Sequence, residues 1–129
     1  MAFSSHLSRE KDMYGSLIDF AELLTRVEND RELMRELLLI FKEEFSRYHQ
    51  ALRDAVDSLD AKRVASEAHT LKGMLSNLAA CEPAGAAASL EQLGRDGETS
   101  KFAESLAAFD HLAKKLLLQV DSCLAAVPR

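Results

Sequence analysis

Tryptophan is absent, and proline, glycine and cysteine occur only two, five and two times in 129 residues. Two cysteines cannot build the disulfide framework of a small secreted scaffold. With no apolar leader in "MAFSSHLSREKDM" they read as free thiols, most simply small buried hydrophobes, in a reducing compartment. Aromatic residues are only 6% while Leu and Ala dominate, a balance that favours helices over sheets. No segment alternates apolar and polar residues beside hairpin signals, so no strand is legible. A basic excess is missing too. The net charge of −5 argues against a nucleic-acid binder, and the pairs Lys62-Arg63 and Lys114-Lys115 fit solvated helix faces. No run reaches the roughly 18 apolar residues of a membrane span. What these absences leave is one cytoplasmic helical domain with a single core.

The helices announce themselves by caps and apolar period. Residues 1–15 are polar and aperiodic and read as a loose N-terminal arm, followed by a bundle over 16–127. Ser16 with Asp19 resembles a capping box, and Leu17, Phe20, Leu24 and Val27 form a stripe behind it. Asn29 and Glu32 make the next capping pair. Their helix carries Met34, Leu38, Phe41, Phe45, Tyr48, Leu52, Ala55 and Leu59 in four-three steps. Leu33, Leu37 and Ile40 widen that stripe and predict burial on two sides. Asp60 caps a third helix with the stripe Val64, Ala68, Leu71, Leu75 and Leu78. Pro83 suits the first turn of a fourth, which presents Ala87, Leu90 and Leu93 and ends at Gly94 and Gly97. A last helix follows "GETS", with Phe102, Leu106, Phe109, Ala113, Leu116, Val120, Cys123 and Val127. Short connections make neighbours antiparallel. The expected fold is all-α: an antiparallel up-and-down four-helix bundle, with a short N-terminal helix across one end.

Within the third helix "HTLKG" joins a histidine, a lysine and a glycine. Glycine there costs about 1 kcal/mol relative to alanine. At 100° per residue His69 falls about 140° from the middle of the core face, with Gly73 about opposite the core and Lys62, Ser66 and Ser76 on the same outer face. Lys72 starts about 5–6 Å from His69 and can bend towards it. Ser76 and Asn77 keep the next turn small and polar. The result is a solvent-side imidazole beside a bare strip of helix on which a large partner can settle.

This constellation resembles the histidine-containing phosphotransfer (HPt) domain, whose pattern H-x-x-K-G is usually followed by small residues and N-x-G-A. "HTLKGMLSNLAA" matches at His69, Lys72, Gly73, Asn77 and Ala80. Ala79 stands where the family commonly has glycine, and Met74 where a small residue is common. "FAELLTRVENDRELMRELLLIFKEEF" resembles the family's opening segment and "LEQLGRDGE" its fourth helix and turn, so the likeness spans nearly all of 16–125. The resemblance implies that His69 takes a phosphoryl group from a receiver-domain aspartyl phosphate and passes it to the aspartate of a second receiver. A neutral imidazole has the nucleophilicity for this step, and Lys72 can offset phosphoryl charge. Lys62, Ser66, Gly73, Met74, Ser76 and Asn77 are the expected partner contacts. Mg²⁺ is expected on the receiver, with no cofactor on this chain. The protein would be a phosphoryl carrier rather than a complete enzyme, monomeric by default, with response-regulator receivers and a hybrid sensor histidine kinase as partners.

Rival readings fit less well. A di-iron bundle needs inward Glu-x-x-His pairs, whereas Ser46, Ser66 and Ala108 precede His49, His69 and His111 by three. A histidine kinase dimerisation helix carries an acid directly after its histidine, but here Thr70 follows. A non-catalytic adaptor binding receiver or kinase domains is the remaining alternative. His6, His49 and His111 form no motif and are read as residues without chemistry.

Overall fold

A computed structural model describes residues 16–126; the expected arm at 1–15, and Val127 of the last stripe, lie outside the described residues. Local capping decides where each helix starts. Helix α1 (Phe20–Arg26) opens at Asp19, whose side chain accepts from the Glu22 amide, while the Ser16 hydroxyl donates to Ile18 O instead of capping. Helix α2 (Arg31–Asp57) opens at Asp30, not Asn29, which has φ 63° and lies outside the helix. Helix α3 (Ala61–Asn77) is capped by Asp60 as expected. Helix α4 (Cys81–Asp96) has Pro83 in its first turn and ends at left-handed Gly97, φ 68°. A 3₁₀ turn (Thr99–Lys101) leads into α5 (Phe102–Ala126). Among the described residues there are five α-helices and no strand.

Gly94 corrects one expectation. It does not end α4 but lies buried inside it, where an added Cβ would come within 2.6 Å of Ala65 N and 2.8 Å of Ala61 O. Its missing side chain sets how closely α3 and α4 approach, and these two helices share the most extensive contact in the molecule. Helix α2 also packs on α3 and α5, and α5 packs on α4, so the long helices close a ring of neighbours. Cross-links Lys42–Asp121 and His49–Asp110 run in opposite chain directions, so α2 and α5 are antiparallel.

The core inside this ring holds Phe45, Phe102, Phe109, Leu38, Leu52, Leu71, Leu75, Leu90 and Leu116, all fully buried. Each such side chain contributes about 1.5–3 kcal/mol of apolar transfer free energy. The α3 stripe is buried throughout, from Val64 to Leu78. Elsewhere the periodic reading needs correction. Leu59 is 59% exposed because it sits in the turn after α2 with φ 53°. Leu33, Leu37 and Ile40 are exposed, since no helix among the described residues covers that side of the N-terminal half of α2. Tyr48 is only half-buried, and the adjacent His49 takes the core position. Leu93 is partly buried, and Glu91 occupies the inward register on α4 instead.

Helix α1 is fastened to the end of the ring where α3 meets α4. The Asp19 amide donates to Ala79 O, the Leu17 amide to Gln119 Oε1, and Arg26 Nη1 to the carbonyls of Ser76 and Asn77. Arg26 thereby satisfies carbonyls that the last turn of α3 would otherwise leave open. Ala79, in the turn that follows, is buried with φ 59°. That left-handed backbone is the physical reason glycine suits the position.

Candidate functional site

Helix α3 presents Lys62, Ser66, His69, Gly73 and Ser76 along one exposed face. Their four-three spacing keeps them within one stripe of the helix surface. Asn77 is exposed at its end, and Lys72 and Met74 flank it, half-buried on opposite sides. The His69 side chain is 64% exposed. A Cβ added at Gly73 would meet nothing within 4 Å, so internal packing does not require glycine there. Gly85, exposed on α4, is open in the same way. Openness alone does not single out Gly73; its position one turn beyond His69 does.

The ring of His69 is held from beneath by a residue the sequence reading passed over. His69 Nδ1 lies 2.9 Å from Glu91 Oε2, on α4, and the Glu91 side chain is only 4% exposed. Lys72 Nζ reaches Glu91 Oε1 at 2.7 Å, and Arg95 Nη2 reaches Oε2 at 2.6 Å. Lys72 therefore meets the carboxylate that holds the ring rather than the ring itself. The hydrogen bond from Lys72 is the main cause that keeps the Glu91 carboxyl below its ordinary 4.5, with His69 and Arg95 adding to it against the effect of burial. A buried charge is costly unless paired and hydrogen-bonded, and here both oxygens are satisfied.

Sequence reasoning missed Glu91 because His69 and Lys72 lie 22 and 19 residues from it on another helix, outside any single-helix spacing. A signal was nevertheless present. Ala84, Ala87, Glu91 and Gly94 follow three-four-three steps, which is the core register, and an acid in that register demands partners.

On the other flank of α3, Thr70, Met74, Asn77 and Leu78 form one wall of a groove of about 480 Å³. Leu37, Ile40, Phe41 and Tyr48 of α2, and Leu23 of α1, form the rest, with Glu44 and Arg47 at the rim. The exposed Leu37 and Ile40 of α2 thus belong to a concave surface next to the His69 face. Among the described residues no three His, Cys, Asp or Glu side chains converge to hold a metal ion, and no helix is long and apolar enough to cross a membrane.

The remaining described histidines differ. His49 is buried, with Nε2 2.6 Å from Asp110 Oδ1 and its ring against Phe45 and Phe109. His111 is exposed. His6 lies outside the described residues.

Comparison with known proteins agrees with this geometry. Residues 36–127 match the Hpt domain family. The fold is similar to the crystal structure of histidine-containing phosphotransfer protein B (HptB) from Pseudomonas aeruginosa PAO1, with a TM-score of 0.81 at 21% identity, over 88% of this chain and 99% of that one. No curated protein matches the sequence.

Proposed function

This chain belongs to the Hpt domain family and serves phosphotransfer in a phosphorelay; on that premise we propose that His69 is the residue that carries the phosphoryl group. It accepts the group from a receiver-domain aspartyl phosphate and passes it to the aspartate of another receiver. The observation that carries this reading is the exposed His69 ring, oriented by a buried carboxylate and bordered by the open backbone of Gly73. Phosphoryl transfer needs in-line positioning and charge stabilisation more than covalent machinery, and a small protein can supply both.

Lys72 supplies positive charge to the transferred group. Its side chain is half-exposed, shares Glu91 with the ring, and can leave that carboxylate when a phosphoryl group arrives. Lys62, Ser66, Gly73, Met74, Ser76 and Asn77 form the docking surface for the receivers, and a hybrid sensor histidine kinase stands upstream. Mg²⁺ is contributed by the receiver. The chain is then a carrier that depends on its partners for catalysis, acting as a monomer in the cytoplasm. The architecture that supports it is an antiparallel up-and-down four-helix bundle (α2–α5) with α1 across one end, a reading favoured by the ring of helix contacts and the α2–α5 cross-links.

The test is transfer of label from a phosphorylated receiver. Wild-type protein should acquire acid-labile, alkali-stable phosphate, and His69→Gln should keep its helical signal and acquire none. A labelled His69→Gln protein would refute the assignment. Receiver binding without any label on the wild type would favour the adaptor alternative.

A further inference from the structure

Chemistry at His69 does not account for the apolar groove beside α3. Leu37 and Ile40 of α2 stand exposed on adjoining turns, and Leu33 extends their strip by another turn. Leu23, Met74 and Leu78 line the groove with them. Contiguous exposed apolar surface marks a place where something else settles. The wall includes Met74 and Asn77, two of the residues assigned to receiver docking, so whatever fills the groove also covers part of that surface.

Charge on α2 separates the candidate occupants. The exposed Glu36 and Glu43 border the apolar strip on its solvent side, with Glu44 at the rim. A second copy laid antiparallel on the strip would set these acids against their own counterparts, which is unfavourable. Residues 1–15 carry no such penalty, because Arg9 and Lys11 balance Glu10 and Asp12. Mostly polar, this segment still brings Phe3 and Leu7.

The segment is also tethered beside the groove. Just after it, the Leu17 amide is fixed to Gln119 Oε1 and the Asp19 amide to Ala79 O, and the helix that follows delivers Leu23 into the groove. From that anchor the 15 residues reach up to about 50 Å when extended, whereas the α2 wall from Leu37 to Tyr48 is only about 17 Å long. Such a tether keeps its apolar residues near the groove at an effective concentration on the order of millimolar. We propose that Phe3 and Leu7 occupy the groove, so that residues 1–15 act as an autoinhibitory strap which a receiver must displace. The inhibition rests on the reading of the α3 face as the receiver-docking surface; the groove contact does not. At that effective concentration, a contact with an intrinsic dissociation constant of about 0.2 mM covers roughly five molecules in six and weakens receiver binding about six-fold.

The test uses the full chain with Cys81→Ser and Cys123→Ser, a nitroxide on Ser5→Cys, and methyl NMR. The nitroxide should broaden the methyl signals of Leu37, Ile40 and Met74 several-fold more than those of Leu118, which is exposed on α5. Adding Phe3→Ser with Leu7→Ser should remove that difference. Without the nitroxide, the Phe3→Ser, Leu7→Ser chain should bind a receiver about six-fold tighter than wild type in titration calorimetry, with an unchanged helical circular dichroism signal. Absence of selective broadening, or selective broadening that survives the Phe3 and Leu7 replacements, would overturn the strap. Broadening that passes between a nitroxide-labelled chain and a separate isotope-labelled one would overturn it in favour of a second copy in the groove. Selective broadening with unchanged receiver affinity would overturn the inhibitory role. Failure of both proteins to bind any receiver, with the broadening intact, would strike the docking reading and leave the groove contact standing.

Discussion

His49 and His69 each face a carboxylate on a neighbouring helix, but burial is distributed oppositely in the two pairs. His49 is 5% exposed and its partner Asp110 reaches the surface. His69 is 64% exposed and its partner Glu91 is sealed. In the first pair the ring is a packing element, wedged between Phe45 and Phe109, and the carboxylate satisfies its one outward nitrogen. In the second the carboxylate is the fixed element, and the ring lies exposed at the surface. The same two side-chain types give a structural joint or the exposed ring proposed as the phosphoryl acceptor, according to which member is buried.

The sharpest way to break this contrast is to remove each ring in turn. His69→Gln should abolish phosphoryl transfer, measured with a labelled receiver, and leave the urea midpoint essentially unchanged. His49→Ala should do the reverse, lowering stability by about 2–3 kcal/mol through the cavity left between Phe45 and Phe109, with transfer by the folded fraction retained.

Two glycines sharpen the same distinction between inside and outside. Gly94→Ala should destabilise by about 1–3 kcal/mol in urea melts, because its Cβ meets backbone atoms of α3 that cannot yield cheaply. Gly73→Ala should stabilise the helix by about 1 kcal/mol or less, since nothing opposes the added methyl, while slowing transfer from a docked receiver. Ala79→Gly should raise stability by about 1 kcal/mol by relieving the left-handed backbone.

The smallest effect is on pH dependence. Burial pushes His49 below its ordinary 6.5, against the opposing hydrogen bond to Asp110. The unfolded chain therefore takes up a proton more readily than the folded one. His49's share of the stability is fully present above about pH 6.5 and is lost as pH falls through its lowered folded value. Melting temperature should decline as the pH is taken from about 7 to about 5, and His49→Ala should flatten that part of the profile.

Much of this was legible in one dimension because helices make it so. Asp60, the α3 stripe and the outward angle of His69 depend only on a 3.6-residue period, and the structure follows them. Contacts between helices were not legible. The carboxylates of Glu91 and Asp110 belong to helices other than those of their histidines, so no spacing rule links them. Both pairs did leave a trace, since His49 falls four after Phe45 and three before Leu52, and Glu91 shares the register of Ala87 and Gly94. A polar residue in a core register is a request for a partner elsewhere. Ile40 and Leu37 misled in the opposite direction, because an apolar stripe states a preference for burial and not that another helix arrives to provide it.

Helix α3 runs from Ala61 to Asn77, and His69 is its middle residue. One terminus is tied by Asp60 and the other by the guanidinium of Arg26. Fraying starts at helix ends and dies away inward, so amide hydrogen exchange should be slowest near the turn that carries His69. The imidazole is thus held by Glu91 above a quiet backbone, and if His69 is the acceptor, an incoming phosphoryl donor meets a target whose anchorage does not wander.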